Sequence, residues 1–239
     1  MRLSILAKII DLFFPRFCPV CGNRLTGGEE SICTSCNLHL PRTDTWENPY
    51  ENEMAKMFWH QIPIEKAGAL FYYESHSFTS NILYQLKYDH HPEIAFDMGR
   101  LLGQEGTRVN FFDDIDGIIP IPLAKNRLKQ RGYNQSEEIA KGIADITYLP
   151  IFTHLVRRTS FTESQTHKNR WQRQQNVSTV FEPYPECPGE SPTSLEGKHI
   201  LVVDDVCTTG ATIISCCQAI MRNAKDLKFS ILSIGWAKR

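Results

Sequence analysis

Ile200-Leu201-Val202-Val203-Asp204-Asp205-Val206-Cys207-Thr208-Thr209-Gly210-Ala211-Thr212 is the stretch from which the rest of the chain is read. Its first four residues are apolar without alternation, the mark of a strand covered on both faces, as in a parallel sheet. Ligands of such sheets bind beyond the carboxyl ends of the strands. Asp204 and Asp205 stand at that edge, and a short loop of threonines and glycine then enters a helix. Main-chain N–H groups opening a helix form an anion site, and Gly210 allows close backbone approach. The hydroxyls of Thr208, Thr209 and Thr212 suit a phosphate monoester. Adjacent carboxylates are poor phosphate ligands but accept well from vicinal hydroxyls, so a ribose 5-phosphate satisfies both halves of the stretch. The plainer alternative has the acids capping a turn and the threonines serving as ordinary loop residues. No Lys follows the glycine, which excludes a Walker loop, and no G-x-G-x-x-G follows a strand, which excludes a dinucleotide fingerprint.

Upstream, the pattern alternates between strands and helices. Ala67 to Tyr73 reads as a strand, Phe78 to Tyr88 as a helix with Ile82, Leu83 and Leu86 on one face, and Glu93 to Leu102 as a second helix behind Pro92. A buried-type strand covers Ile115 to Ile121 and a helix covers Gln135 to Ile146. Beyond the quoted loop, a helix from Ala211 to Asn223 leads to a last strand, Phe229 to Trp236. This order predicts a parallel α/β sheet flanked by helices.

A second cluster follows the strand at 115–121. Pro120 and Pro122 fix a rigid bend, and Lys125, Arg127, Lys129 and Arg131 then gather charge ahead of a helix. Arg forks match phosphate oxygens bidentately and help most where negative charge develops on a leaving group. A solvated basic face accounts for the same residues equally well. The segment from Arg157 to Phe181 adds Arg158, Lys168, Arg170 and Arg173 among Thr and Gln, and reads as an arm able to close over a ligand or as a surface loop.

Cys18-Pro-Val-Cys21 and Cys33-Thr-Ser-Cys36 form two C-x₂-C knuckles separated by eleven residues. Four thiolates so spaced suit a structural Zn²⁺ site with no open position. Two disulfides or an iron–sulfur cluster are the alternatives, the first disfavoured in a cytosolic chain and the second lacking its usual spacing. Cys207, Cys216 and Cys217 have no paired spacing and read as packing residues.

Two acids followed by T-T-G-A-T after a buried strand resemble the motif by which type I phosphoribosyltransferases bind 5-phosphoribosyl pyrophosphate (PRPP). That resemblance implies PRPP with Mg²⁺, and displacement of pyrophosphate from C1 through an oxocarbenium-like transition state. Purine-salvage members often carry Asp where this chain has Thr208, which points away from purine salvage. The string Pro120-Ile121-Pro122-Leu123, then Arg127, Arg131-Gly132-Tyr133-Asn134-Gln135, Arg158-Thr159, Thr162, Gln165, Arg173 and Asn176, is similar to the competence protein ComF family. Leu86-Lys87-Tyr88 is similar to a stretch of that family as well. Asp89-His90-His91 and Lys168 depart from its pattern.

The ComF resemblance covers nearly the whole chain and implies a four-Cys zinc module before a phosphoribosyltransferase domain. It also implies a role in natural transformation, with single-stranded DNA or DNA-processing proteins as partners. It assigns Asp204, Asp205 and Arg158 to catalysis. PRPP binding falls to Asp204, Asp205, Val206, Cys207, Thr208, Thr209, Gly210, Ala211 and Thr212, and pyrophosphate binding to Pro120, Ile121, Lys125, Arg127 and Arg131. No general base is assignable. An Mg²⁺-dependent transferase and a non-catalytic PRPP-sensing adaptor both remain open.

Composition bounds these readings. The 239 residues carry 26 basic and 27 acidic side chains, so no global field singles out nucleic acid or a membrane surface. The apolar positions Leu3, Leu6, Ile10 and Phe13 recur at helical spacing and predict a short amphipathic helix rather than a signal peptide. The expected organisation is a helix and zinc module over 1–45, a linker over 46–62 and the phosphoribosyltransferase-like domain over 63–239, in a cytoplasmic protein without membrane insertion.

Overall fold

The computed structural model describes residues 15–29, 32–75, 77–88, 91–159, 181–184 and 195–238. The expected amphipathic helix at the N-terminus and most of the arm, including Thr162, Gln165, Lys168, Arg170, Arg173 and Asn176, lie outside the described residues.

Among the described residues, four parallel strands form the central sheet in the order β1-β6-β5-β2: β1 is Ile64–Tyr72, β2 Gly117–Pro120, β5 His199–Cys207 and β6 Lys228–Trp236. A separate antiparallel pair joins β3, Val156–Arg158, to β4, Phe181–Pro183. The helices are α1 (Thr34–His39), α2 (Glu53–Lys56), α3 (Phe78–Tyr88), α4 (Pro92–Arg108), α5 (Lys125–Arg131), α6 (Gln135–Thr147) and α7 (Ala211–Met221).

The apolar run of β5 explains the layering. Ile200 and Val202 pack to one side, with Ile213, Cys216 and Cys217 of α7 and with Met54, Ala55 and Phe58. Leu201 and Val203 pack to the other side, with Leu83 and Leu86 of α3, Met98 of α4 and Ile139 of α6. Both faces of the strand are therefore dry, the expected outcome for an unalternating apolar strand. The same second layer continues into Cys18, Leu25, Ile32 and Leu40, so the cysteine module shares a core with α3 and α4.

The expected α/β architecture stands, with instructive differences at the boundaries. Helix α4 runs to Arg108, past Leu102, because Gly103 and Gly106 act as seats for neighbours rather than as breakers. A Cβ at Gly103 would stand 3.0 Å from Ile146 Cβ, and one at Gly106 2.6 Å from the Phe112 ring. Strand β5 continues to Cys207, so the two acids belong to the strand itself. The stretch 46–62, expected as a linker, packs against the sheet: Met54, Ala55 and Phe58 are fully buried at helical spacing. Just before it, chain 41–45 runs beside β1, where Tyr72 N–H donates to Pro41 O (2.8 Å) and Thr43 Oγ1 to Ala69 O (2.5 Å), covering that sheet edge. Among the described residues no helix is long and apolar enough to cross a membrane.

Helices α4 and α6 cross in close contact at Gly99 and Gly142, where a Cβ on Gly142 would run into the Phe96 carbonyl. A bulky side chain there has no way to relax except by parting the helices. Gly142→Val is expected to destabilise the fold by about 3 kcal/mol, lowering Tm by roughly 6–12 °C in a thermal melt.

Candidate functional site

The carboxyl ends of β5 and β2 open into one cavity of about 240 Å³. Asp204, Asp205, Val206, Thr208 and Thr212 line it from the β5 side, Ile121, Arg127 and Arg131 from the β2 side, and Lys87, Ser136 and Arg158 from the flanks. A smaller niche of about 30 Å³, enclosed by residues 204 and 206–213, shares Asp204, Val206, Thr208 and Thr212 with it. That niche sits where β5 turns into α7. Gly210, at φ +73°, makes the turn, and the first helical bond runs from Ile214 N–H to Gly210 O (2.9 Å). A side chain at 210 would strike the Phe58 ring at 2.8 Å, so both the backbone angle and the space demand glycine.

The acids are neighbours in one cavity but differ in their partners. Lys87 Nζ pairs with Asp205 Oδ2 at 3.0 Å. Asp204 Oδ1 accepts from Ser136 Oγ (3.1 Å) and from the Asp205 N–H (2.9 Å), with no cation in direct contact among the described residues. Burial first, and then the adjacent Asp205 carboxylate, push the Asp204 carboxyl up to about 7. Arg158 is half-buried over the Phe181 ring, its guanidinium 5.4 Å from the ring centroid. Burial and then the Arg127 charge hold it below its ordinary value, so these two arginines crowd one end of the cavity. Arg131 Nη1 donates to Gln135 Oε1 (2.8 Å), Asn134 Nδ2 to Ile121 O (3.1 Å), and Gln135 Nε2 is a buried donor without a partner among the described residues.

Of the sequence-derived positions, Asp204, Asp205, Val206, Thr208, Thr212, Ile121, Arg127, Arg131 and Arg158 come together in the main cavity, and Cys207, Thr209, Gly210 and Ala211 shape the niche. Pro120 and Lys125 are not brought in. Pro120 is the buried last residue of β2, and Lys125 opens α5, whose seven residues include no buried one, with its side chain exposed. The cation that meets the acids is Lys87, reached from α3. Its place in the Leu-Lys-Tyr stretch was the available signal, but only the pairing of chain segments far apart in sequence shows its target. Cys207 is buried, and burial followed by Asp204 pushes its thiol up to about 12, which leaves it a packing group.

A second cavity of about 330 Å³ lies beside the same loop, lined by Thr208, Thr209, Trp236, Ala237, Lys238, Glu53 and Met57. It and the acid-lined cavity have Thr208 in common.

The four cysteines form a compact cluster, with their sulfurs all within 4.8 Å of one another. Cys21 Sγ and Cys33 Sγ are 3.7 Å apart. The edge of a tetrahedron with Zn–S bonds of about 2.3 Å is roughly 3.8 Å, so the donor set fits zinc. Cys33 N–H points to Cys18 Sγ and Cys36 N–H to Cys33 Sγ, both at 3.4 Å, which favours thiolates in these positions. Glu29 braces the module. Its carboxylate accepts from the N–H and hydroxyl groups of Thr26 and Thr34, and these bonds, the main-chain ones first, hold it at about 2.

A model of the phosphoribosyl transferase domain matches residues 133–231, and one of the double zinc ribbon domain matches residues 9–50. The DNA utilization protein YhgH of Escherichia coli K12 is 28% identical over 216 residues, covering 86% of this chain and 84% of the relative. Competence protein F of Haemophilus influenzae is 30% identical over 98 residues, 41% of each chain. The chain is thus similar to proteins named for DNA utilization and for competence. Its parallel sheet with flanking helices is of the phosphoribosyltransferase type, and its N-terminal cysteine cluster lies within the residues similar to the double zinc ribbon. Among solved structures, the glutamine PRPP amidotransferase of Bacillus subtilis overlays 59% of this chain at a TM-score of 0.38 and 17% identity, spanning about a quarter (26%) of its own length.

Two outcomes are expected of this site. Folding raises the Asp204 pKa above the usual carboxylate value of about 4, so between about pH 4 and pH 7 the folded chain keeps a proton that the unfolded chain has lost. Stability contributed here therefore falls as pH rises through that window. Asp204→Asn should stabilise the chain by about 2 kcal/mol at pH 8 and lose that advantage near pH 4, as read from denaturant melts at both pH values. Elemental analysis of purified protein should give one zinc per chain, and Cys33→Ala should release it and unfold the module.

Proposed function

We propose that this chain, like the ComF family it resembles, binds PRPP with Mg²⁺ and transfers its 5-phosphoribosyl group to an acceptor, in support of DNA utilization or uptake of the kind its relatives are named for. The observation that carries the reading is that the small niche in the β5–α7 turn shares lining residues with a larger cavity holding two acids and three arginines. A phosphate on Thr208 to Thr212 leaves the sugar diol within reach of Asp204 and Asp205. The pyrophosphate end then extends toward Arg127, Arg131 and Arg158. This arrangement uses the acids and the cations at once.

In this reading the C1–O bond to pyrophosphate breaks with its electron pair leaving on the pyrophosphate oxygen. The arginines stabilise that developing charge, which is the main service a protein renders such a displacement. The carboxylates hold the ribose and face the electron-poor carbon. Mg²⁺, brought with PRPP, supplies further charge neutralisation on the leaving group. The residues 63–239 form the transferring domain, and the cavity beyond Thr208 takes the acceptor.

The alternative is a PRPP-sensing adaptor that contacts single-stranded DNA or DNA-processing proteins without chemistry. One observation favours it: Asp205 is paired with Lys87, and Asp204 accepts from Ser136 and the backbone, so both acids already have partners within the chain.

Calorimetric titration with Mg-PRPP and a pyrophosphate-release assay with nucleobases, amines and oligonucleotides separate the two. Binding should weaken at least tenfold in Asp205→Asn and in Arg158→Ala. Release of pyrophosphate with any acceptor identifies a transferase, and tight binding without release identifies the adaptor. Wild-type protein that fails to bind Mg-PRPP ends both.

A further inference from the structure

Helix α3 touches the zinc module at one point and the acid pair at another, two residues apart. Gln85 Nε2 donates to the carbonyl of Pro19 at 2.6 Å, and Pro19 lies inside the first cysteine knuckle, between Cys18 and Cys21. Lys87, half a turn further on, delivers its ammonium to Asp205. Between them Leu86 is fully buried, and its carbonyl accepts from Tyr133 Oη at 2.6 Å. Tyr133 immediately precedes Asn134 and Gln135, which line the same cavity. Leu83 and Leu86 also share a core with Cys18 and Cys33. The end of α3 is thus clamped on three sides: by the knuckle, by the segment leading into α6, and by the acid at the tip of β5.

We infer that the zinc knuckle sets the position of Lys87 through Gln85, so that metal loading and ligand binding at the acid pair are coupled. Gln85 is a positioning residue, since it touches no cavity group itself. The physical basis is economy of anchors. A lysine side chain has four rotatable bonds, and its ammonium reaches Asp205 reproducibly only if the backbone at 87 is fixed. Leu86 fixes the radial position of the helix. The Gln85–Pro19 bond fixes its rotation against a loop that is itself rigid only while its four thiolates are gathered on one metal. If that loop is released, α3 keeps its buried face but loses the bond that resists rotation and fraying at its end. Coupling of this kind is reciprocal, because each ligand tightens the other by the same factor.

The inference rests on the PRPP reading only for the choice of probe. Zinc affinity is measured by competition with a chromogenic chelator, with and without saturating Mg-PRPP, and PRPP affinity is measured by calorimetry on zinc-loaded protein. Mg-PRPP should tighten zinc about three- to tenfold, the worth of one hydrogen bond. Gln85→Met, which keeps the volume and drops the donor, should weaken PRPP by a similar factor while zinc stoichiometry stays at one. Gln85→Lys, which keeps a donor, should restore most of it. Gln85→Met and Lys87→Met should be non-additive in a double-mutant cycle, whereas a merely structural glutamine gives additive losses. Wild-type protein that does not bind PRPP at all overturns the proposed function. Wild-type protein that binds PRPP, with additive variants and a zinc affinity blind to PRPP, overturns the coupling.

Discussion

Two adjacent carboxylates at the tip of a fully buried strand repel each other, and the rest of the site is organised around relieving that repulsion. One acid is given a lysine from a helix more than a hundred residues earlier in the chain. The other is given a hydroxyl, a backbone N–H and a carboxyl pushed up to about 7. The pair is affordable in the resting state because it behaves as less than two full charges. It is held beside the arginines that a multiply charged anion would need. The fold's layers place each counter-group: α3 brings Lys87, the start of α6 brings Ser136, and the β3–β4 pair brings Arg158.

Much of this was legible before any coordinates. The unalternating apolar run of β5 and the threonine–glycine turn after it fix the sheet type and the edge where the site opens. The helices α3 and α6 announce themselves by apolar spacing, and their observed limits fall within a residue or so of the reading. The cysteine pairs are equally plain, because thiolate spacing is a local property. Arg127 and Arg131, four apart on α5, project to the same side of a helix turn and reach the cavity together.

What escaped the sequence is what depends on packing between distant segments. Lys125 has the same charge as Arg127 but sits at the open end of a short helix with no buried residue, so charge alone did not tell the two apart. Lys87 has Asp89 near it in sequence, but its partner Asp205 is visible only across the fold. The glycines of α4 resemble helix breakers in one dimension and are contact points in three. The segment 46–62 looks polar by composition, yet four positions in it, Met54, Ala55, Phe58 and Ile62, make a buried stripe.

The Phe58 ring carries a practical consequence. It fills the space that a side chain at position 210 would take, and so forms the floor beneath the turn enclosing the small niche. That floor comes from a segment which sequence alone would assign to the connection between two units. A fragment trimmed to start at Pro63 would retain every strand of the sheet, yet leave a hole of aromatic size under the β5–α7 turn. Expression boundaries for this protein, and for chimeras that exchange its N-terminal module, therefore belong ahead of Asn52, whose side chain caps the helix that delivers the ring.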